Sequence, residues 1–143
     1  MKGHIDIRVL GDDKLAKKIA KLDRVAAGKI VRPGMRAAAQ MVLPYVKAAV
    51  PEKTGNLKRS IKVKADKRKW ARSKATGVNI QTGTREQLGI AADDKYYYPA
   101  AVEYGHGNVP ARSYLRGPMD QHREAAKLRA ARVMKIRLYG VVK

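Results

Sequence analysis

The sequence predicts an α+β fold, a single domain of 143 residues in which two to three helices pack on a small antiparallel sheet of about four strands. Three observations carry this. Polar and apolar residues alternate, as on a half-buried strand, at residues 4–9, 61–64, 78–81 and 88–92. Elsewhere apolar residues recur every three or four positions, the period of an amphipathic helix. Hydrophobic residues make up 45% of the chain and charged residues 31%, with no Phe and one Trp, so a thin core must be built from Ala, Val, Ile, Leu and Met.

The elements follow in order. Ile5, Ile7 and Val9 share one face of a first strand that Gly11 ends. Asp12 and Asp13 open a helix at its positive end, with Leu15, Ile19, Leu22 and Ala26 on its apolar side. Gly28 weakens that helix, and Pro33, best accepted in a first turn, predicts that a second helix starts near it. Ala38, Met41, Val42, Tyr45 and Ala49 form the expected buried stripe of this second helix. Pro44 is expected to kink or interrupt it, and Pro51 to close it.

A turn at residues 51–57 leads to one helical turn, Leu57 to Ser60, capped by Thr54 or Asn56. Three strands then read as an antiparallel meander: Ile61 with Val63, Val78 with Ile80, and Leu88 with Ile90 and Ala92. Between the first two, a basic loop at about 66–76 is too charged to bury and is expected to be mobile. A short helix follows Pro99 and stops at Gly105 or Gly107, after which residues 109–114 should be extended. A last helix from about Pro118 carries Met119, His122, Ala126 and Arg129 on successive turns, and Lys135 to Tyr139 alternate as a short strand or frayed tail within 134–143.

Thirty-two Lys and Arg against twelve Asp and Glu give a net charge of +20, which favours polyanions or acidic protein surfaces as partners. Residues 77–107 reverse the sign, with two basic and four acidic residues. That segment is expected either to face the core or to complement a basic face on a neighbour. The chain has no Cys, which excludes disulfides, thiol nucleophiles and cysteine-based zinc sites and suits a reducing cytosol. No apolar run is long enough for a membrane span or a secretory signal, so no membrane partner is expected.

Catalytic chemistry finds little purchase. His4, His106 and His122 lack metal-ligand spacing, no phosphate-cradling Gly loop is present, and neither Ser60 nor Ser113 has a nucleophile's context. A triad of His106 with Asp93 or Glu103 would need coincidence of folding. The expectation is therefore no enzyme, no catalytic residue, no cofactor and no metal. Glu103, a lone acid between Val102 and Tyr104, reads as the partner of an Arg across a subunit contact or as a solvated side chain. Lys62, Lys64, Lys67, Arg68, Lys69, Arg72 and Lys74 could each meet a phosphate, with Trp70 stacking on a base or anchoring in a partner's pocket. A solvated loop with a packed Trp explains the same residues. The basic residues of the last helix, Arg123, Lys127, Arg129 and Arg132, read as a solvated face.

Two segments have a more specific pattern. One is Val50-Pro51-Glu52-Lys53-Thr54-Gly55-Asn56-Leu57-Lys58-Arg59-Ser60-Ile61 after an Ala-rich helix. The other is Tyr98-Pro99-Ala100-Ala101-Val102-Glu103-Tyr104-Gly105, followed by Pro110-Ala111-Arg112-Ser113-Tyr114-Leu115-Arg116-Gly117-Pro118-Met119. Physically these shape corners: Gly55 reverses the chain, Thr54 caps the next turn, Leu57 and Ile61 lock it to the core, and Ser60 satisfies a helix-end group. Gly105 ends the short helix so that Pro110 to Leu115 can lie across a neighbour.

In order and separation the pair resembles the tail-completion or head-tail joining proteins of long-tailed bacteriophages, over about residues 12–130. The resemblance implies a structural virion protein of the tail or neck, assembled in the host cytoplasm. It further implies a ring, a hexamer if it matches the tail's symmetry. Its implied partners are neighbouring neck and tail proteins and the viral DNA passing through the channel. The competing reading is a non-specific nucleic-acid-binding protein using residues 62–74. A phage hydrolase or nuclease is a further class, lacking clustered acids in this sequence.

Overall fold

The computed structural model describes residues 7–8, 24–66 and 77–141. The long helix α1, Arg24–Ala49, is the element on which the others assemble. It is followed by α2 (Asn56–Ser60), β2 (Lys62–Asp66), β3 (Gly77–Gln81), α3 (Arg85–Leu88), α4 (Tyr98–Tyr104), α5 (Arg116–Gln121) and α6 (Arg123–Val141), with a two-residue strand β1 (Ile7–Arg8) before it. The α+β class holds, but the described residues form six helices and three strands rather than two to three helices and four strands.

No second helix starts at Pro33: α1 runs unbroken through Gly28, Pro33 and Pro44. The two prolines are eleven residues apart, three helical turns, and so share a side of the helix. Each deprives the carbonyl four residues earlier of its donor, and those residues, Lys29 and Gln40, are both exposed. Water can satisfy the freed carbonyls. The opposite side repeats every four residues through Ile30, Gly34, Ala38, Val42, Val46 and Val50, with Ala39 beside it, all buried. The expected stripe was thus rotated from the true one: Tyr45 and Ala49 are exposed, whereas Ala38 and Val42 are core. The proposed helix at 12–26 falls mostly outside the described residues.

The sheet order is β1-β3-β2, both pairings antiparallel, with Ile7 opposite Ile80 and Val63 also opposite Ile80. β3 is therefore central, and Val78, Asn79 and Ile80 are all buried on it. The first two strands of the expected meander pair antiparallel, but its third strand is absent. Residues 85–88 form α3, because Thr84 and Gln87 make a reciprocal capping box and Gly89, at φ 70°, closes the helix. The Gly89 and Ile90 amides donate to the carbonyls of Glu86 and Arg85, a Schellman ending that buries Leu88 and Ile90 without any strand.

The C-terminal region also departs from expectation. The helix begins at Arg116 rather than Pro118 and is divided at His122, whose ring stacks on Tyr45 with centroids 3.7 Å apart. Lys135 to Tyr139 continue α6 because the burial period there is four, through Ala126, Ala130 and Met134 to the half-buried Leu138. Ala126 and Ala130, with Gly34 facing Met134, let α6 lie close on α1. A Cβ at Gly34 would stand 2.5 Å from Met134 Cγ and 3.0 Å from the Ala130 carbonyl. Among the described residues, no atom lies within 4 Å of a Cβ placed on Gly28.

Two substitutions in α1 therefore have opposite signs. Gly34→Val is expected to destabilise the chain by about 1–3 kcal/mol through overpacking. Gly28→Ala should stabilise it by about 0.5–1 kcal/mol through helix propensity. Urea unfolding monitored by circular dichroism measures both.

Candidate functional site

The two motif segments build two neighbouring corners that feed one core, to which Leu57, Ile61, Tyr114 and Leu115 all belong. In the first, Gly55 occupies the N-cap position of α2 with φ 71°, a left-handed conformation that favours glycine. The cap is therefore Gly55 rather than Thr54 or Asn56, although the Asn56 amide reaches Thr54 Oγ1 at 3.5 Å. Ser60 Oγ donates to the Leu57 carbonyl at 2.8 Å, and Glu52 pairs with Lys58. Leu57 and Ile61 are buried, as their role as locks requires.

The second corner is built around Glu103, which has no exposed surface. Its Oε2 accepts from the Leu115 amide at 2.8 Å, and its Oε1 accepts from the Arg116 amide at 3.1 Å and from Arg116 Nε at 3.0 Å. The acid thus pairs with an arginine of its own chain. Neither the solvated reading nor an inter-subunit pairing describes it. Arg116 is half-exposed, and its guanidinium lies 4.7 Å from the centroid of the Tyr104 ring.

Backbone bonds complete this corner. α4 stops at Gly105, φ 79°, whose amide donates to the Ala101 carbonyl. A Cβ there would stand 3.0 Å from the Val109 carbonyl and 3.1 Å from the Ala111 amide, where the chain returns. His106 and Val109 form an antiparallel bridge, and the Arg112 and Ser113 amides donate to the carbonyls of Val102 and Glu103. Ser113, at φ 38°, is the one non-glycine with positive φ among the described residues. It turns the chain inward, so Tyr114 and Leu115 are fully buried in their own subunit rather than laid across a neighbour. The Tyr114 hydroxyl donates to the Pro99 carbonyl at 3.3 Å.

This arrangement spends its polar groups on shape. The three donors on Glu103 leave its carboxylate no approach for a substrate proton, and it does not meet His106 in any described contact. His106 instead lies against Tyr96, centroids 5.8 Å apart. No group of three His, Asp or Glu side chains that could hold a metal ion gathers among the described residues.

Of the polyanion candidates, Lys62 and Lys64 lie on the edge strand β2, Lys64 exposed and Lys62 reaching Gln87 Oε1 at 3.4 Å. Lys67, Arg68, Lys69, Trp70, Arg72 and Lys74 lie outside the described residues. Sequence reasoning missed Arg116 as the partner of Glu103. The available signal was a lone acid in an apolar helix, a glycine stop, and an Arg directly after two core residues.

Glu103→Ala leaves the Leu115 and Arg116 amides without their acceptor and is expected to cost about 3–5 kcal/mol. Glu103→Gln should cost less, and Arg116→Ala least, because the Arg116 side chain is half in solvent. Denaturant titration gives the order. Burial pushes the Tyr114 hydroxyl far above the ordinary tyrosine value of 10.0, with the Glu103 charge adding to it. The unfolded chain releases that proton first, so stability falls as pH rises past about 10. Tyr114→Phe should flatten this alkaline decline, read as Tm against pH.

The comparisons bear on the same corners. The family model described as "Bacteriophage HK97-gp10, putative tail-component" matches residues 13–105, a stretch that contains the first corner and ends at the Gly105 stop of the second. Comparison with curated proteins and with solved structures returns no match. The matched stretch covers well over half of the chain, and the chain belongs to the HK97-gp10-like family of bacteriophage tail components.

Proposed function

We propose that this tail component is a ring-forming tail-completion or head-tail connector subunit of the phage neck, joining tail to head around a channel for DNA. One observation carries the reading beyond the family: the motif-bearing corner holds a buried carboxylate committed to three donors of its own chain. What such a motif delivers is a rigid shape. In this reading the chain catalyses no reaction; it ends tail growth, presents a docking surface to the head and assembles as a hexamer to match the tail. Its neighbours are other structural proteins of the virion, and it gathers on them in the host cytoplasm.

The charge of +20 supports a second role for the same subunit, weak contact with passing DNA. Base-specific contacts would slow passage. A non-specific DNA-binding protein acting as a monomer is the competing reading, with Lys62 and Lys64 on an edge strand as its described residues.

Imaging of particles assembled without this chain tests the proposal. The expected result is filled heads and finished tails that stay apart, with a ring at the neck of complete particles that is absent from the deleted ones. Joined, DNA-filled particles lacking the chain would overturn it. Retention of duplex DNA should be weak and collapse by about 0.15 M salt; sub-micromolar retention by a monomer at that salt would favour the competing reading.

A further inference from the structure

α1 turns one side away from the core, and that side is basic. At 100° per residue, Lys29, Arg32, Arg36 and Gln40 fall within an arc of about 80°, remote from the buried line of Ile30, Gly34, Ala38 and Val42. All four are exposed, and the half-buried Lys47 lies in the same arc. The helix has 26 residues and no Asp or Glu among them. That is unusual for a merely solvated helix, where acids three or four residues from bases add stability. Ion pairs occur elsewhere in the chain: Glu52 holds Lys58, Glu103 holds Arg116 and Glu124 holds Lys127. Among the described residues, no acid pairs with Lys29, Arg32 or Arg36.

The rest of the molecule does not offset this charge. Outside α1 and α6 the described residues hold ten Lys and Arg against seven acids, close to balance, whereas α1 holds five against none. Residues 1–6, 9–23, 67–76 and 142–143 hold eleven Lys and Arg against four Asp, so their sum adds to the positive field. The side also lacks apolar anchors. Tyr45, the exposed aromatic of α1, lies on another side of the helix, where it stacks on His122. The α6 cations Arg129, Arg132 and Lys135 differ, because they stand among the exposed Leu128, Ile136 and Tyr139.

We propose that the Lys29, Arg32 and Arg36 side of α1 is the surface that meets the phosphate backbone of duplex DNA. The inference rests on the weak DNA contact proposed above and names the residues that make it, on a helix rather than on β2. Lys29 to Arg36 spans about 10 Å of helix axis, a length over which one DNA strand presents about three phosphates. One strand can therefore meet all three cations. A protein partner would need an apolar centre to its contact, with polar groups around it. This side offers only cations and an amide, which is all that phosphates require. Because phosphate contacts carry no sequence information, such a contact holds passing DNA loosely without stopping at particular sequences.

Retention of a labelled duplex DNA by the full chain, measured against salt, tests the assignment. Lys29→Gln, Arg32→Gln and Arg36→Gln place good helix formers at exposed positions, so the fold is kept, as an unchanged urea midpoint checks. Each single variant should lower the slope of log K against log salt by about 0.9, and the triple variant by about 2.7, with retention about tenfold weaker at about 0.05 M salt. Arg129→Gln/Arg132→Gln/Lys135→Gln removes the same charge from α6 and should weaken retention by less than about threefold. Lys29→Arg/Arg32→Lys/Arg36→Lys keeps the charge and should retain DNA as the unaltered chain does. Equal weakening by the two Gln triple variants would reduce the effect to net charge and overturn the assignment. So would undiminished retention in the α1 triple variant with loss in Lys62→Gln/Lys64→Gln, which would move the contact to β2. Stronger capture of polyglutamate than of DNA, abolished by the α1 substitutions, would overturn it in favour of an acidic protein. No retention by the unaltered chain at low salt would sink the DNA contact itself, whereas retention insensitive to the α1 substitutions rejects this surface and leaves that contact standing.

Discussion

The carboxylate of Glu103, with no surface in water, is the constraint from which the second half of the chain hangs. Its bonds to the Leu115 and Arg116 amides span twelve and thirteen residues and bring the chain back onto α4 after the Gly105 stop. Were those amides to face apolar side chains instead, each would lose its bonds to water without compensation. The charge is tolerable because it meets three donors, one of them cationic. From this point Tyr114 and Leu115 enter the core and α5 begins. The direction in which α5 and α6 leave, and hence where α6 meets α1, depends on that clamp.

α1 supplies the complementary constraint. Its buried line of small and β-branched residues receives the sheet on one stretch and α6 on another, with Gly34 opening the space that Met134 occupies. A chain without Phe builds its interior from many modest contacts rather than a few large ones. Close approach of helices is therefore worth more here than bulk. The prolines of α1 fit the same arrangement, since both leave their unpaired carbonyls on the side away from these contacts.

Much of this was legible in the sequence, and the failures have identifiable physical causes. The strands at 62–66 and 77–81, the short helix before Gly105 and the locking roles of Leu57 and Ile61 follow from alternation, glycine placement and local apolarity. Pro33 misleads because a local rule forbids an interior proline, whereas tertiary packing holds the helix through it. Leu88 and Ile90 alternate like a strand, yet Thr84 and Gln87 three residues apart carry the capping signal that decides for helix. The partner of Glu103 is hidden for another reason: thirteen residues of turn and return separate the acid from Arg116, and no periodicity encodes such a bond. The family, by contrast, is legible from the motif pair, because order and separation together are far more restrictive than either alone.

The position of β2 at the border of the sheet has a further consequence. A strand with an unpaired side invites other strands to extend it, which is how many proteins polymerise without limit. Here that border carries Lys62 and Lys64, and charged side chains of this kind discourage strand addition. Unlimited growth through that border is thereby disfavoured, and contact with other tail proteins is left to side-chain surfaces rather than to shared backbone hydrogen bonds.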